Sequence, residues 1–194
     1  CVYPYVTPES GGCREDDIVR PQGHYAESCL GRENAFSEAS LKHGTRTAIV
    51  RLNYSVEYRY GVLVDIAKRV SDGSPVDVTT GYVNVIWQRD AVDHILRAES
   101  IARSPALIVN VAGATIVSVR EIAKRFGEHF HKLPVFTGKE EPTAWLSNAS
   151  HSHRLFGPPG TPLDEMIRKV AAWLIAGGET YRQNTKFEVR SGEF

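Results

Sequence analysis

The sequence predicts an α/β protein with a partly parallel sheet. Three observations carry that prediction. Short β-rich runs alternate with patterns of helical period along the 194 residues. Stop and start signals separate them, among them Gly44, Gly177 with Gly178, and the capping box of Ser118 and Glu121. Hydrophobic residues make up 42% and charged residues 24%, which suits a globular core and excludes a disordered tail, a collagen-like chain or a small disulfide scaffold.

The elements follow in order. Residues 7–21, rich in Pro, Gly and acids, read as a loop. A helical pattern runs over 23–43, with Tyr25, Cys29, Leu30, Phe36 and Leu41 at apolar positions, and stops at Gly44. Residues 47–53 are a β-rich run bounded by that stop and a polar loop. A helix is expected over 59–70, ended by the Ser-Asp-Gly-Ser-Pro of 71–75. Short strands are expected over 76–78 and 82–87. Asp90 has the chemistry of an N-cap for a helix to about 103. Residues 106–111 read as another strand. Ser118 opens a helix to about 131, followed by a short strand over 133–136. One or two helical turns are expected over 147–155. Thr161 as cap and Pro162 at the first helical position precede a helix over 163–176.

Net charge narrows the function classes. The 23 basic residues balance the 23 acidic ones, which removes the electrostatic footprint of a general nucleic-acid binder. No apolar run approaches the roughly 18 residues of a membrane span, so no membrane partner is expected. Cys1, Cys13 and Cys29 are an odd set and read as free thiols in a reducing compartment, which points to the cytoplasm. The paired histidines His129/His131 and His151/His153 lack a third ligand at a suitable spacing, so no metal is expected. The strand count is short for the helices present: few strands precede the first long helix.

Tyr25 stands out chemically. It falls in the first turn of a long helix, 22 residues after the strand end at Tyr3. A tyrosine so placed serves as a general acid/base when a cation lowers its pKa from about 10. The plain alternative is a packing residue of an amphipathic helix.

Five segments then line up in order. Val2-Tyr3-Pro4, the acids Glu15 and Asp16, Pro21, Tyr25, Ser28 and Glu33 resemble the stretch around the YxxSK motif of the NAD-dependent epimerase/dehydratase family, the extended short-chain dehydrogenase/reductases. Ile49-Val-Arg-Leu-Asn53 resembles that family's strand ending in R..N. The segment to Asp90-Ala91, the pair Asn110 and Gly113 followed by Ser118, and Leu155-Phe-Gly-Pro158 with the helix after it resemble its later segments. The resemblance implies the C-terminal part of a Rossmann-like doubly wound fold plus the small substrate-binding subdomain. Residues 1–56 would close the Rossmann-like part, with the tyrosine helix and the following strand. Residues 57–194 would form mostly the substrate-binding subdomain, interleaved with the last Rossmann strand and helix. The dinucleotide-binding half, with its glycine-rich turn, would precede Cys1.

The resemblance also implies chemistry. NAD or NADP would be the cofactor, and the substrate a sugar nucleotide or a similar polar alcohol. Tyr25 would take the hydroxyl proton during hydride transfer, as in an oxidoreductase or isomerase of this type. Asn53, Asn148 and Ser150 would line the substrate pocket, and the 23–43 helix would build a homodimer interface. One departure bears on all of this. Cys29 occupies the position of the family's catalytic lysine, which touches the cofactor and lowers the tyrosine pKa. A neutral thiol cannot do that work, so a binding or regulatory protein without hydride chemistry is the alternative reading. A third expectation makes Cys29 itself a reactive thiol.

Overall fold

The computed structural model describes residues 2–181 and 183–192. Along the chain come α1 (Gly23–His43), β1 (Ala48–Leu52), β2 (Ser55–Val56), α2 (Val62–Asp72), β3 (Val76–Asp77), β4 (Tyr82–Val83) and β5 (Ile86–Trp87). Then follow α3 (Gln88–Arg97), β6 (Leu107–Val111), β7 (Val117–Ser118), α4 (Val119–Phe130), β8 (Phe136–Thr137), α5 (Ser150–Phe156) and α6 (Leu163–Ile175). Strands and helices alternate as expected. The strands pair two by two: β1 with β6, β2 with β5 and β3 with β8 in parallel, β4 with β7 antiparallel.

The β1–β6 ladder carries the site. Ala48 faces Leu107 and Leu52 faces Val111. Leu107 N–H donates to Thr47 O, so the N–H of Asn110 points to the other edge of β6. No third strand receives it there among the described residues. The Glu15 carboxylate does, at 2.9 Å.

Helix α1 forms over the expected residues and stops at Gly44, whose φ is 68°. Its burial differs from the expectation of one packed face. Among its described residues only Ala26 and Ser40 are buried, while Tyr25, Phe36 and Leu41 are exposed. The cause is periodic. At about 100° per residue, Tyr25, Cys29 and Phe36 form one stripe, and Leu30 and Leu41 lie roughly 120–140° from its centre. Two narrow stripes do not make one core-facing surface.

Other boundaries moved for identifiable reasons. Helix α2 starts at Val62 because Gly61, at φ 121°, turns the chain and its carbonyl accepts the first helical N–H groups. The run 82–87 splits into β4 and β5, which pair with different partners. At the split, the Asn84 side chain turns inward and donates to Ser147 O (2.7 Å) and Gly113 O (3.3 Å). Asp90 is not an N-cap: α3 begins at Gln88, and the Asp90 carboxylate instead accepts from Thr161 N–H at 2.9 Å. That bond also occupies Thr161, and the cap position of α6 falls on Pro162. The helix expected to 103 ends at Arg97 and continues as a 3-10 turn, Ala98–Ile101. The strand expected over 133–136 shifts to Phe136–Thr137, leaving Leu133 exposed. Strands β2 and β7, of two residues each, carried no signal of their own. Ser118 caps α4 as expected, accepting from Glu121 N–H at 3.0 Å.

The main core is the packing of α2, α4 and α6, through Leu63, Ile66, Ile122, Phe126 and Ile167, with Val76 and Val83 beneath them. A smaller cluster of Ile86, Ala91 and Val111, with Val50 against it, joins β1 and β6 to α3. Cys13 and Cys29 are unbonded thiols, and Cys1 lies outside the described residues. Burial raises the Cys13 thiol to about 11. Among the described residues no helix is long and apolar enough to cross a membrane, and no cluster of three metal-ligating side chains occurs.

His94 gives the fold a pH dependence. It is 2% exposed and lies edge-on to His153 and Phe156, with Nδ1 unpartnered among the described residues. Burial lowers its pKa below the ordinary 6.5, and His153 and Arg97 add to that; Asp93 and Asp90 oppose it. The folded state therefore holds the imidazole neutral where the unfolded chain binds a proton. Stability from this site is full above about pH 6.5 and is lost as pH falls toward the lower folded value. We expect His94→Phe to flatten the melting temperature between pH 7.5 and 5.5 relative to the unsubstituted protein. Parallel slopes for the two proteins would assign the acid sensitivity elsewhere.

Candidate functional site

Tyr25 stands between two cavities and lines both. The smaller, about 230 Å³, lies between α1 and β1 and is walled by Cys29, Arg32, Glu33, Arg51, Val2 and Val50, among others. The larger, about 530 Å³, lies beyond the carboxyl end of β1 and is walled by Asn53, Tyr54, Tyr60, Trp145 and the segment from Asn184 to Phe187, among others. Open α/β folds bind ligands outside the carboxyl ends of their strands, and this one places its larger cavity there.

A polar network docks α1 on the strands. The Arg51 guanidinium makes a forked contact with the Glu33 carboxylate at 2.8–3.1 Å. Its Nη1 donates to the Tyr3 hydroxyl at 2.7 Å and to Glu15 O at 3.3 Å. The Tyr3 hydroxyl in turn donates to Asn110 Oδ1 at 2.8 Å. Asn110 Nδ2 donates to the carbonyls of Cys13 and Asn148 at 3.0 Å. The network fixes the base of the smaller cavity, so the α1 residues above it have a defined position against β1.

Tyr25 itself is 63% exposed. The neighbouring Cys29 side chain pushes its phenol above the ordinary value, and Arg32 opposes that shift. Arg32 Nη2 donates to Cys29 Sγ at 3.8 Å, so its charge is directed first at the thiol. The local electrostatics thus hold the phenol protonated at neutral pH.

Residues 184–187 supply part of the larger cavity's wall. Among the described residues after α6 there is no helix or strand. Thr185 N–H and Oγ1 both donate to the Asp65 carboxylate, at 2.7 and 2.6 Å. Arg69 pairs with Glu188 at 2.8 Å. Arg190 donates to Thr143 O and Oγ1 (2.6 and 2.9 Å), and its own carbonyl accepts from the Tyr5 hydroxyl at 2.7 Å. Arg190 also lies over the Tyr5 ring, whose other stacking partner is Trp145 at 4.5 Å between centroids. Gly192 ends against the start of α1: a Cβ on Gly23 would meet Gly192 O at 2.3 Å, and one on Gly192 would meet Gln22 O at 2.3 Å. Both residues have φ near 78°, so the crossing requires glycine twice.

Backbone strain collects at the same cavity. Among the described residues three non-glycines have positive φ: Tyr54 (47°), His131 (54°) and Lys186 (52°). His131 is an ordinary left-handed helix cap. Tyr54 and Lys186 both line the larger cavity.

The structure brings together some of the residues singled out in the sequence. Tyr25 and Cys29 share the smaller cavity; Tyr25 and Asn53 share the larger. Asn53 is buried and its Nδ2 donates to Asn84 Oδ1 and Trp145 O at 3.3 Å. Asn148 and Ser150 are not among the residues lining either cavity. Asn148 Oδ1 accepts from Ser150 N–H at 3.0 Å, and Ser150 faces an open depression with Arg14 and His151. Sequence reasoning offered Trp145 as a core or pocket-wall aromatic, and it lines the larger cavity; it missed Arg51 as the docking residue and the whole 184–187 wall. Only Arg51 had a usable signal, as a charge inside an apolar strand.

Comparison with solved structures places this architecture. The UDP-glucose 4-epimerase of Thermus thermophilus, in complex with NAD, superposes with a TM-score of 0.72 at 22% identity, over 88% of this chain and 60% of that one. The UDP-glucose 4-epimerase of Thermotoga maritima, with UDP-glucose, gives 0.74 at 16% identity over 91% and 60%. RMD of Pseudomonas aeruginosa, with NADPH, gives 0.73 at 17% over 88% and 62%. The chain has the fold of the NAD-dependent epimerase/dehydratases. At these identities the likeness is one of fold, and the chain spans 60–62% of the length of these three proteins. Neither a protein-family model nor a curated protein matches the sequence.

Proposed function

We propose that this chain carries the tyrosine helix and the substrate cavity of an NAD(P)-dependent epimerase- or dehydratase-type oxidoreductase acting on a sugar nucleotide or a similar polar alcohol. The observation that carries the reading is the position of Tyr25, in the first turn of α1 and on the boundary between the two cavities. The 230 Å³ cavity has room for the nicotinamide end of a dinucleotide, against Val2, Val50 and Cys29, and not for a whole dinucleotide. The bound nicotinamide would supply the hydride acceptor. The larger cavity would hold the substrate, with Asn53 at the strand end, Trp145 as an apolar wall and Tyr25 accepting the proton of the substrate hydroxyl. The relatives with this fold were solved with NAD, NADPH or UDP-glucose, which supports the same ligand classes here. The test is tryptophan fluorescence titration of the protein with UDP-glucose and NAD, alone and together, followed by turnover read at the nicotinamide absorbance. Binding of both with turnover abolished by Tyr25→Phe is the expected result; failure to bind either ligand would sink it.

One observation favours a second reading. The phenol of Tyr25 is pushed up, with Cys29 the largest cause, where proton abstraction at neutral pH needs it lowered. A binding or regulatory protein that keeps the substrate cavity and has given up hydride chemistry fits that electrostatics. Ligand binding without turnover distinguishes it.

We also propose a homodimer through α1. Its exposed Phe36, with Ala35 and Ala39 beside it, offers small and aromatic residues suited to close helix packing. Phe36→Glu is expected to halve the mass measured by light scattering. An unchanged mass would remove Phe36 from the interface.

A further inference from the structure

We propose that Lys186, on the segment that folds back after α6, recognises an oxyanion carried by the ligand of the 530 Å³ cavity. The inference rests on the proposed reading of that cavity as the substrate site, and adds which chemical group is selected and by which residue.

Three observations converge on this side chain. Among the described residues lining the cavity Lys186 is the one that is charged; the others are aromatic, apolar or neutral polar. Among the described residues no carboxylate or carbonyl partners its ammonium, whereas the arginines around it are all engaged: Arg69 with Glu188, Arg190 with Thr143, Arg59 with Glu57. Its backbone is held in the left-handed region, at φ 52°. That conformation is uncommon for a long L side chain, and such strain persists only where the surroundings over-determine it.

The surroundings do so here. Thr185, on one side, is clamped by both its N–H and its hydroxyl to Asp65. Phe187, on the other, is 5% exposed and belongs to the main core. Val189 N–H closes a turn onto Lys186 O at 2.9 Å. The two anchors hold the residue between them at the cavity wall, and among the described residues lining it Lys186 alone offers a ligand a cation. A cavity with aromatic walls, an amide at Asn53 and a single lysine suits a polar organic molecule bearing one acidic function, a phosphate or a carboxylate.

The segment is anchored by its neighbours, so truncating Lys186 should leave the fold intact; far-ultraviolet circular dichroism and the melting curve check this. Calorimetric titration compares the unsubstituted protein, Lys186→Met and Lys186→Arg, with UDP-glucose, UDP-glucuronate and inorganic pyrophosphate as probes. The expected result is a loss of about tenfold in affinity for UDP-glucose in Lys186→Met, held within about threefold by Lys186→Arg. The loss should shrink as salt is raised, because an exposed ion pair is screened. An equal loss for both nucleotide sugars assigns the oxyanion to the diphosphate; a larger loss for UDP-glucuronate assigns it to the carboxylate. If UDP-glucose binds and Lys186→Met binds it equally well, the proposal is overturned and the substrate reading stands. If pyrophosphate binds in a Lys186-dependent way and neither nucleotide sugar binds, the oxyanion site stands and the sugar-nucleotide reading falls. If no probe binds, both fall.

Discussion

Arg51→Ala is expected to lower stability by about 3 kcal/mol, the low end of what removing one partner of a buried ion pair costs. The Arg51 and Glu33 side chains are 9% and 11% exposed. Taking away the guanidinium leaves the Glu33 carboxylate in that environment without its forked partner. It also strips one hydrogen bond from the Tyr3 hydroxyl, which belongs to a residue only 1% exposed. For a chain of this length the loss corresponds to roughly 6–12 °C in melting temperature. Arg51→Lys should recover only part of it, because one ammonium cannot reproduce the fork to Glu33 and reach Tyr3 at once. Arg51→Met combined with Glu33→Leu should recover more than either single change, since no orphaned charge remains. A melting temperature within about 2 °C of the unsubstituted protein for Arg51→Ala would show that the network contributes little net stability. The effect reaches function through α1: this pair is what sets Tyr25 and Cys29 against β1.

The elements legible in the sequence were those whose signal is local. Helix α1 ends at Gly44 because a left-handed C-cap favours glycine, and α4 begins at Ser118 because its hydroxyl meets the Glu121 N–H. Neither fact needs the rest of the chain. The misread elements depend on partners far away. Asp90 has cap chemistry, yet its carboxylate is taken by Thr161, 71 residues on. The run 82–87 is one strand by composition and two by pairing, because β2 and β7 claim different halves.

The same distinction runs through the site. Tyr25 was visible as an unusual residue at a helix start, and Asn53 through the resemblance of 49–53 to the family's strand. Asp65 and Thr185 lie 120 residues apart, and nothing periodic in the final stretch marks it as a cavity wall. Lys186 is an ordinary polar residue until its φ and its place in the cavity are known. The spacing of Tyr25 and Cys29 was also legible. Which way Cys29 moves the phenol was not, because that depends on how Arg32 divides its charge between the two groups.

Cys29→Lys is the change with the largest expected effect on chemistry. Positions 25 and 29 are one helical turn apart on α1, so a lysine at 29 would bring its ammonium beside the Tyr25 phenol. It would also remove the group that now does most to raise the phenol. Both changes favour the phenolate, so the Tyr25 pKa should fall from above 10 to below it. A phenol of pKa 10 is about one part in a thousand ionised at pH 7, and each unit of lowering multiplies the ionised fraction about tenfold. On the proposed reading, turnover at neutral pH should rise by about 10²-fold or more, within the range a positioned acid/base group supplies. The pH–rate profile should shift to lower pH with it. The pKa is read directly as a difference titration of the tyrosinate absorbance between Cys29→Lys and Cys29→Lys/Tyr25→Phe, and turnover by nicotinamide absorbance over a sugar-nucleotide panel. A control, Cys29→Met, removes the thiol without adding charge, and should lower the pKa less and leave turnover low. If the unsubstituted protein turns over rapidly and Cys29→Lys is slower, another group ionises Tyr25, and the reading as a protein that has given up hydride chemistry is wrong.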